Sequence, residues 1–201
     1  FAQSGSGTPT ELFLATIVLM LALVASGFAV SAVLRMRTEE FGLRVDPMLA
    51  SVVARRRWML GYLGVALAGT LIIMIASGVL VGVGYAVQMG DAGEIMPLVG
   101  ASLAMVPALL VLSALTAAFI GVHPTWASLA WAAVALAAVV GLLSETLGLP
   151  QWVRNLSPFQ HVPAIPAAPF KLLPIVLLLA VAAGMALVGC VGITHRDIAR
   201  R

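Results

Sequence analysis

Apolar runs of membrane-spanning length dominate this chain and leave it few ways to fold. Five stretches are each long enough to cross a bilayer core, which takes about 20 mostly apolar residues in a helix. They are residues 12–34, 59–87, 95–122, 126–149 and 172–194. Only 9% of the 201 residues are charged and 62% are hydrophobic, against about 25% charged in a soluble domain. Because a backbone in lipid must pair its polar groups internally, we expect an all-α membrane protein with five transmembrane helices.

The arginines indicate how these spans are oriented. Six of the 11 Lys and Arg residues lie in residues 35–58 and three lie in the tail, residues 195–201. Basic loops are retained in the cytosol, so both segments are predicted to be cytosolic. Alternation then places residues 1–11 and the proline-rich residues 150–171 outside. The prediction is a multi-pass protein of the cell membrane with a cytosolic C-terminus.

Residues 46–57 have the pattern of a short amphipathic helix. It begins with an acid suited to the N-cap and a proline suited to the first helical position. Three apolar residues then share one face. Three arginines end it, where positive charge interacts favourably with the helix dipole. In order these residues are Asp46 and Pro47, then Leu49, Val52 and Val53, then Arg55, Arg56 and Arg57. Such a segment is either a basic loop that sets topology, a docking helix for a cytosolic subunit, or part of a catalytic site.

The catalytic alternative depends on two short motifs. Residues 39–44 fit EExxxR, beginning with Glu39 and Glu40, and residues 119–123 fit FxxxH, ending at His123. Both resemble motifs of CAAX-type intramembrane proteases, in which glutamate activates water with help from histidine. The third motif of that family, a histidine followed four residues later by Asn or His, is missing. A membrane scaffold without a transport role is a further alternative.

The cytosolic segment as a whole resembles that of actinobacterial ABC exporter permeases of the polyketide-antibiotic (tetronasin-type) family. In that family an acid pair is followed by Gly-x-x-x-Asp/Glu-Pro-x-Leu-Ala and then Arg-x-x-Trp, a pattern that runs here from Glu39 to Trp58. LSPFQHVPAIP, residues 156–166, resembles the family's external segment before the last helix. The resemblance covers nearly the whole chain and implies an ABC-2-type exporter bundle. This chain would supply helices two to six of the second half, with the first half of the same permease preceding Phe1.

The same resemblance implies a function for residues 46–57. They would be the coupling helix that docks on a cytosolic ATP-binding subunit, present in two copies, with Glu39 and Glu40 pairing with arginines of the loop or of that partner. ATP and Mg²⁺ would bind the partner, because this chain has no P-loop and its single lysine is Lys171. We therefore expect a transport subunit with no catalytic site, cofactor or metal of its own, and no nucleic acid as a partner. The exported molecules would be hydrophobic or amphiphilic antibiotics and drugs.

Other candidate residues lie in the spans and outside. Glu145 is the one acid within a predicted span, and Pro107 is predicted to kink the third. Gly78 and Gly82 form a GxxxG pair that would let two helices approach closely. In the external segment four residues are candidates for an outer gate, with a structured cap as the alternative. They are Ser157, Pro158, Phe159 and His161.

Overall fold

The computed structural model describes residues 8–41, 52–144 and 146–195. These residues form seven α-helices, and their bounds follow the apolar runs of the sequence. They are α1 Pro9–Phe41, α2 Val52–Met89, α3 Ile95–Ala104, α4 Val106–Val122, α5 Leu129–Leu143, α6 Gln151–Arg154 and α7 Leu172–His195. Short 3₁₀ helices occur at Ala92–Glu94, Pro124–Ser128 and Pro158–His161.

Five helical segments within these described ranges are long and apolar enough to cross a membrane. They are Pro9–Glu39, Arg55–Met89, Ala92–Val122, Pro124–Leu143 and Leu172–His195. The prediction of an all-α membrane protein with five spans is therefore confirmed. The first two helices extend beyond the predicted spans into the basic segment. Residues 52–57, predicted as the end of a separate amphipathic helix, form the first turns of α2 and continue into its span.

The third span lies at the centre of the bundle. In its most apolar 18-residue stretch, 72% of the residues are buried, whereas the corresponding share is 22% in the spans of α2 and α7. α4 contacts α1, α2, α5 and α7, and its side chains Leu109 and Leu112 lie in the main hydrophobic core. Large apolar side chains on the outer faces, such as Leu80 and Leu187, are exposed. These outer faces are suited to lipid.

This central span is broken where the sequence predicts a kink. α3 ends at Ala104 and α4 begins at Val106, with Pro107 in its first turn. Proline has no N–H and its ring displaces the carbonyl four residues earlier, so the regular ladder cannot pass through it. The Met105 N–H instead donates to the Ser102 carbonyl at 3.1 Å, and Ala108 N–H donates to the Met105 carbonyl at 3.1 Å. The break is buried inside the protein, where irregular backbone is tolerated at membrane depth.

Two glycine seams bring helix backbones into contact. In the α2–α3 seam, a Cβ added to Gly78 would lie 2.7 Å from Val99 Cα, and one added to Gly82 would lie 2.9 Å from Ile95 Cα. The predicted GxxxG pair therefore faces α3 of the same chain. In the α4–α7 seam, a Cβ on Gly192 would lie 2.6 Å from the carbonyl carbon of Gly121. No side chain fits at any of these positions without moving a backbone.

Candidate functional site

The ends of α1 and α2 that carry arginines form one face of the bundle, which we call the arginine-rich end. It consists of Arg35 and Arg37 in the last turns of α1 and Arg55, Arg56 and Arg57 in the first turns of α2. Arg35, Arg56 and Arg57 are exposed, whereas Arg37 and Arg55 are half-buried. Because α1 stops at Phe41 and α2 starts at Val52, residues 42–51 join these two helix ends.

A polar contact links α1 to α2 at this end. The Tyr62 hydroxyl donates a hydrogen bond to the Glu39 carboxylate. The Trp58 ring stands edge-on to the Tyr62 ring, with centroids 5.7 Å apart and planes at 89°. Trp58 and Tyr62 lie one helical turn apart, so they occupy the same face of α2. The contact fixes the last turns of α1 against the second and third turns of α2.

Apolar packing lies directly beneath this contact. Met36 from α1 and Met59 from α2 are fully buried in a second core cluster, separate from the main core. The same cluster contains Ile120 near the end of α4 and Ile193 near the end of α7. Four helices therefore converge under the arginine-rich end. The start of α2 therefore packs against the ends of α4 and α7 through this cluster.

The remaining residues predicted for docking lie at the edge of what the structure describes. Glu40 belongs to the last turn of α1, and Val52 and Val53 belong to the first turn of α2. Asp46, Pro47 and Leu49 lie outside the described residues. The structure thus brings the two flanks of the predicted coupling segment to one end of the molecule, and the apolar face of that segment stays a prediction.

Two residues of the catalytic alternative, Glu39 and His123, have different neighbours. Glu39 accepts the hydrogen bond from Tyr62. The Nδ1 of His123 lies 2.7 Å from the Thr125 hydroxyl, and its ring lies against Trp126 with centroids 5.7 Å apart. His123 ends α4 as its C-cap, and its N–H donates to the Phe119 carbonyl at 2.9 Å. These contacts give His123 a part in the turn between α4 and α5.

Residues 150–171, the predicted external segment, pack into the opposite end of the bundle. Ser157, Pro158 and Phe159 are buried, and Phe159 belongs to the main core together with Val162. The 3₁₀ helix Pro158–His161 contacts α4, α5 and α7. His161 is exposed, and its Nε2 lies 2.9 Å from the Asn155 carbonyl oxygen. The segment therefore caps the bundle, which is one of its two predicted roles; a gating role stays a prediction.

Two of the intramembrane candidates have different outcomes. Pro107 is buried at the helix break described above, so its predicted effect on the third span is visible. Glu145 lies outside the described residues, so its role stays a prediction. The external segment also contains two buried polar atoms without a hydrogen-bond partner, Ser157 Oγ and Arg154 Nε.

Two contacts near the arginine-rich end are absent from the sequence predictions. Tyr62 is one of the residues concerned, although its place one turn after Trp58 indicates that the two aromatic rings share a face. The α4–α7 seam was also missed, although Gly189 and Gly192 stand three residues apart and therefore on one side of α7.

Comparison with known proteins gives the chain a family. Residues 1–193 match the family described as "Multidrug efflux system permease Rv1217c, C-terminal domain". A relative from Mycobacterium tuberculosis (strain ATCC 25618 / H37Rv), the multidrug efflux system permease protein Rv1217c, is 36% identical over 197 residues. The match covers 98% of this chain and 36% of the relative, so the chain spans about a third of that protein's length.

These matches confirm the coarser part of the family prediction, which is membership of a family of multidrug efflux permeases. The descriptions name multidrug efflux and no polyketide class, so the tetronasin-type assignment stays a prediction. Because the family match covers residues 1–193 of 201, this chain belongs to the family of the Rv1217c multidrug efflux permease C-terminal domain.

Proposed function

We propose that this chain is part of the permease of an ATP-binding cassette exporter, driven by a cytosolic ATPase that docks at the arginine-rich end. The observation that carries the proposal is the match of residues 1–193 to a family of multidrug efflux permeases. Transport against a gradient needs an energy source, and the sequence contains no P-loop. The energy in this proposal comes from a partner ATPase, which is present in two copies. ATP and Mg²⁺ bind to that partner.

The position and charge of the arginine-rich end support it as the docking surface. It carries the five arginines of α1 and α2, and residues 42–51 connect the two helices there. Positive charge at this density supports a cytosolic position for this end of a cell-membrane protein. Alternation of the five spans then supports a cytosolic C-terminus. Exposed guanidinium groups pair well with acids on a partner. The first half of the same permease would complete the transport pathway.

The chemistry of the bundle supports hydrophobic or amphiphilic antibiotics and drugs as the exported molecules. Four of the buried polar side chains, Ser26, Thr70, Ser113 and Thr116, donate to carbonyls of their own helices. They are therefore satisfied within their helices, whereas the buried Ser102 Oγ has no hydrogen-bond partner. The other contacts available to a substrate are mainly apolar. A molecule taken up from the bilayer suits such a route.

Co-purification tests the proposal. The transporter is isolated from its own membrane in mild detergent, and bound proteins are assayed for ATP hydrolysis. We expect an ATPase to co-purify, and to be lost when Leu49, Val52 or Val53 is changed to Asp. Ala92→Asp is the matched control, because it adds the same charge to an exposed site at the opposite end of α2.

Either of two results would contradict the proposal. If no ATPase accompanies the wild-type protein, the exporter assignment fails, and cleavage of model peptides by wild type and Glu40→Ala would then test the protease alternative. If the ATPase remains bound in all three Asp variants, it docks elsewhere than residues 46–57.

A further inference from the structure

The two helices of the third span are attached to different neighbours. α3 makes its main contact with α2, whereas α4 makes its main contact with α7. The two helices touch each other little, although they are consecutive in the chain. Their attachment therefore divides one transmembrane span between two parts of the bundle.

The attachment of α3 to α2 is made by backbones. At Gly78 and Gly82 the two helices approach so closely that no Cβ fits between them. The connection between them is short and capped: Gly90 N–H donates to the Ala86 carbonyl at 2.8 Å, and the Asp91 carboxylate accepts from Gly93 N–H at 2.8 Å. Because the contact is between backbones, there is no side chain at these two positions whose change of rotamer would let α2 slide along α3. α2 and α3 therefore form one rigid pair.

The attachment of α4 to α7 has the same character. A Cβ on Gly189 would lie 2.7 Å from the Ala117 carbonyl oxygen, and one on Gly192 would lie 2.6 Å from the Gly121 carbonyl oxygen. This second pair lies on the other side of the break at Met105. Each half of the third span is thus bound to its own partner helix.

The surface between the pairs has a different composition. It contains two of the largest fully buried side chains of the described residues, Met59 and Met74, both from α2. Met74 of α2 lies in the main core with α4 side chains, and Met59 of α2 lies in the second cluster with Ile120 of α4 and Ile193 of α7. Methionine side chains are unbranched and adapt their rotamers at small cost. This surface can be repacked, and the two glycine seams cannot.

We propose that the break from Met105 to Pro107 is a hinge, about which α2 and α3 move as one unit against α4 and α7. The backbone there lacks the regular ladder, so a change in its dihedral angles breaks few hydrogen bonds. The driving force rests on the proposed function: a push by the ATPase on the start of α2 is carried along α2 to α3. The hinge then converts movement at the arginine-rich end into movement at the opposite end of the third span.

Distance measurements between spin labels test the hinge without any transport assay. Two label pairs are placed at exposed positions in a Cys190→Ala background, with the protein in lipid nanodiscs. One pair joins Leu60→Cys in α2 to Met96→Cys in α3, and the other joins Met96→Cys to Leu187→Cys in α7. We expect a narrow distance distribution for the first pair and a broader one for the second. Pro107→Ala restores a backbone N–H that can join the helical hydrogen bonds, so it should narrow the distance distribution of the second pair. Equal widths for the two pairs, or no narrowing in Pro107→Ala, would overturn the hinge.

Transport measurements test whether the hinge is used. We expect Pro107→Ala to lower ATP-dependent transport of a drug dye by about tenfold, a usual size for coupling between sites. Full transport by Pro107→Ala would overturn the inference. Absence of ATP-dependent transport in the wild type would instead contradict the proposed function, and the spin-label widths would still decide the hinge.

Discussion

The two ends of the bundle differ in the groups that lie at their surfaces. At the end opposite the arginine-rich end, which we call the outer end after its predicted side, Phe159 and Val162 are buried in the main core. The segment that carries them contacts α4, α5 and α7. At the arginine-rich end, the charged groups Arg35, Arg56 and Arg57 are exposed, and Tyr62 and Glu39 join two helix ends by a hydrogen bond. Burial fixes the outer segment as part of the fold. The arginine-rich end is a surface, and its role depends on what binds there.

The largest effect should come from opening the core at the outer end. Phe159→Ala removes a ring that is 4% exposed. It should lower the free energy of unfolding by about 3 kcal/mol, the low end for a phenylalanine that leaves a cavity. Thermal unfolding in lipid nanodiscs measures the change.

A matched control separates burial from the loss of a phenylalanine as such. Phe170 lies in the same external segment and is 60% exposed, so Phe170→Ala should change stability by less than about 0.5 kcal/mol. Equal destabilisation by the two substitutions would show that the external segment is not packed as a cap, and the contrast between the ends would disappear.

This contrast also explains how much the sequence could predict. Apolar length and the position of Pro107 are local properties, so the five spans and the break in the third were predictable from the residues themselves. The family resemblance rested on local motifs in the same way. The partners of Phe159, Tyr62 and the glycines depend on which helices meet and in what rotation, which a single sequence does not specify. The Gly78–Gly82 pair illustrates the limit, since its spacing predicted a close contact without predicting α3 as the neighbour.

A smaller effect is expected when charge is reversed at the arginine-rich end. Arg56→Glu should weaken binding of the ATPase by about tenfold at low salt, because an exposed attractive pair becomes repulsive. The loss of ATPase affinity should be smaller in about 1 M salt, because the Debye length there is near 3 Å and the exposed charges are screened. Binding of the purified ATPase to the transporter in nanodiscs, titrated at both salt concentrations, measures the change.

Lys171→Glu provides the comparison at the outer end. Lys171 is exposed in the external segment, and its reversal changes the net charge by the same amount. It should leave ATPase affinity unchanged at both salt concentrations. A similar loss in the two variants would mean that net charge, and not the arginine-rich end, controls binding.

The smallest effect is expected from the contact that joins α1 to α2. Tyr62→Phe removes the hydroxyl that donates to Glu39 and keeps the ring that packs on Trp58. Because Glu39 is exposed and can be solvated by water, the loss should be about 0.5 kcal/mol, well below that of a buried charged hydrogen bond. Amide hydrogen exchange in residues 35–41 should then be about twofold faster, since 0.5 kcal/mol is close to RT.

Tyr85 lies near the other end of α2 and supplies the control. Tyr85→Phe should leave exchange in residues 35–41 unchanged, because it alters the same helix far from α1's last turns. If Tyr62→Phe also leaves exchange unchanged, the hydrogen bond does not hold the two helix ends together, and burial of Met36 and Met59 alone joins them. If exchange rises by tenfold or more, the contact is a structural element comparable to the outer cap, and the arginine-rich end is less adaptable than its exposed charges indicate.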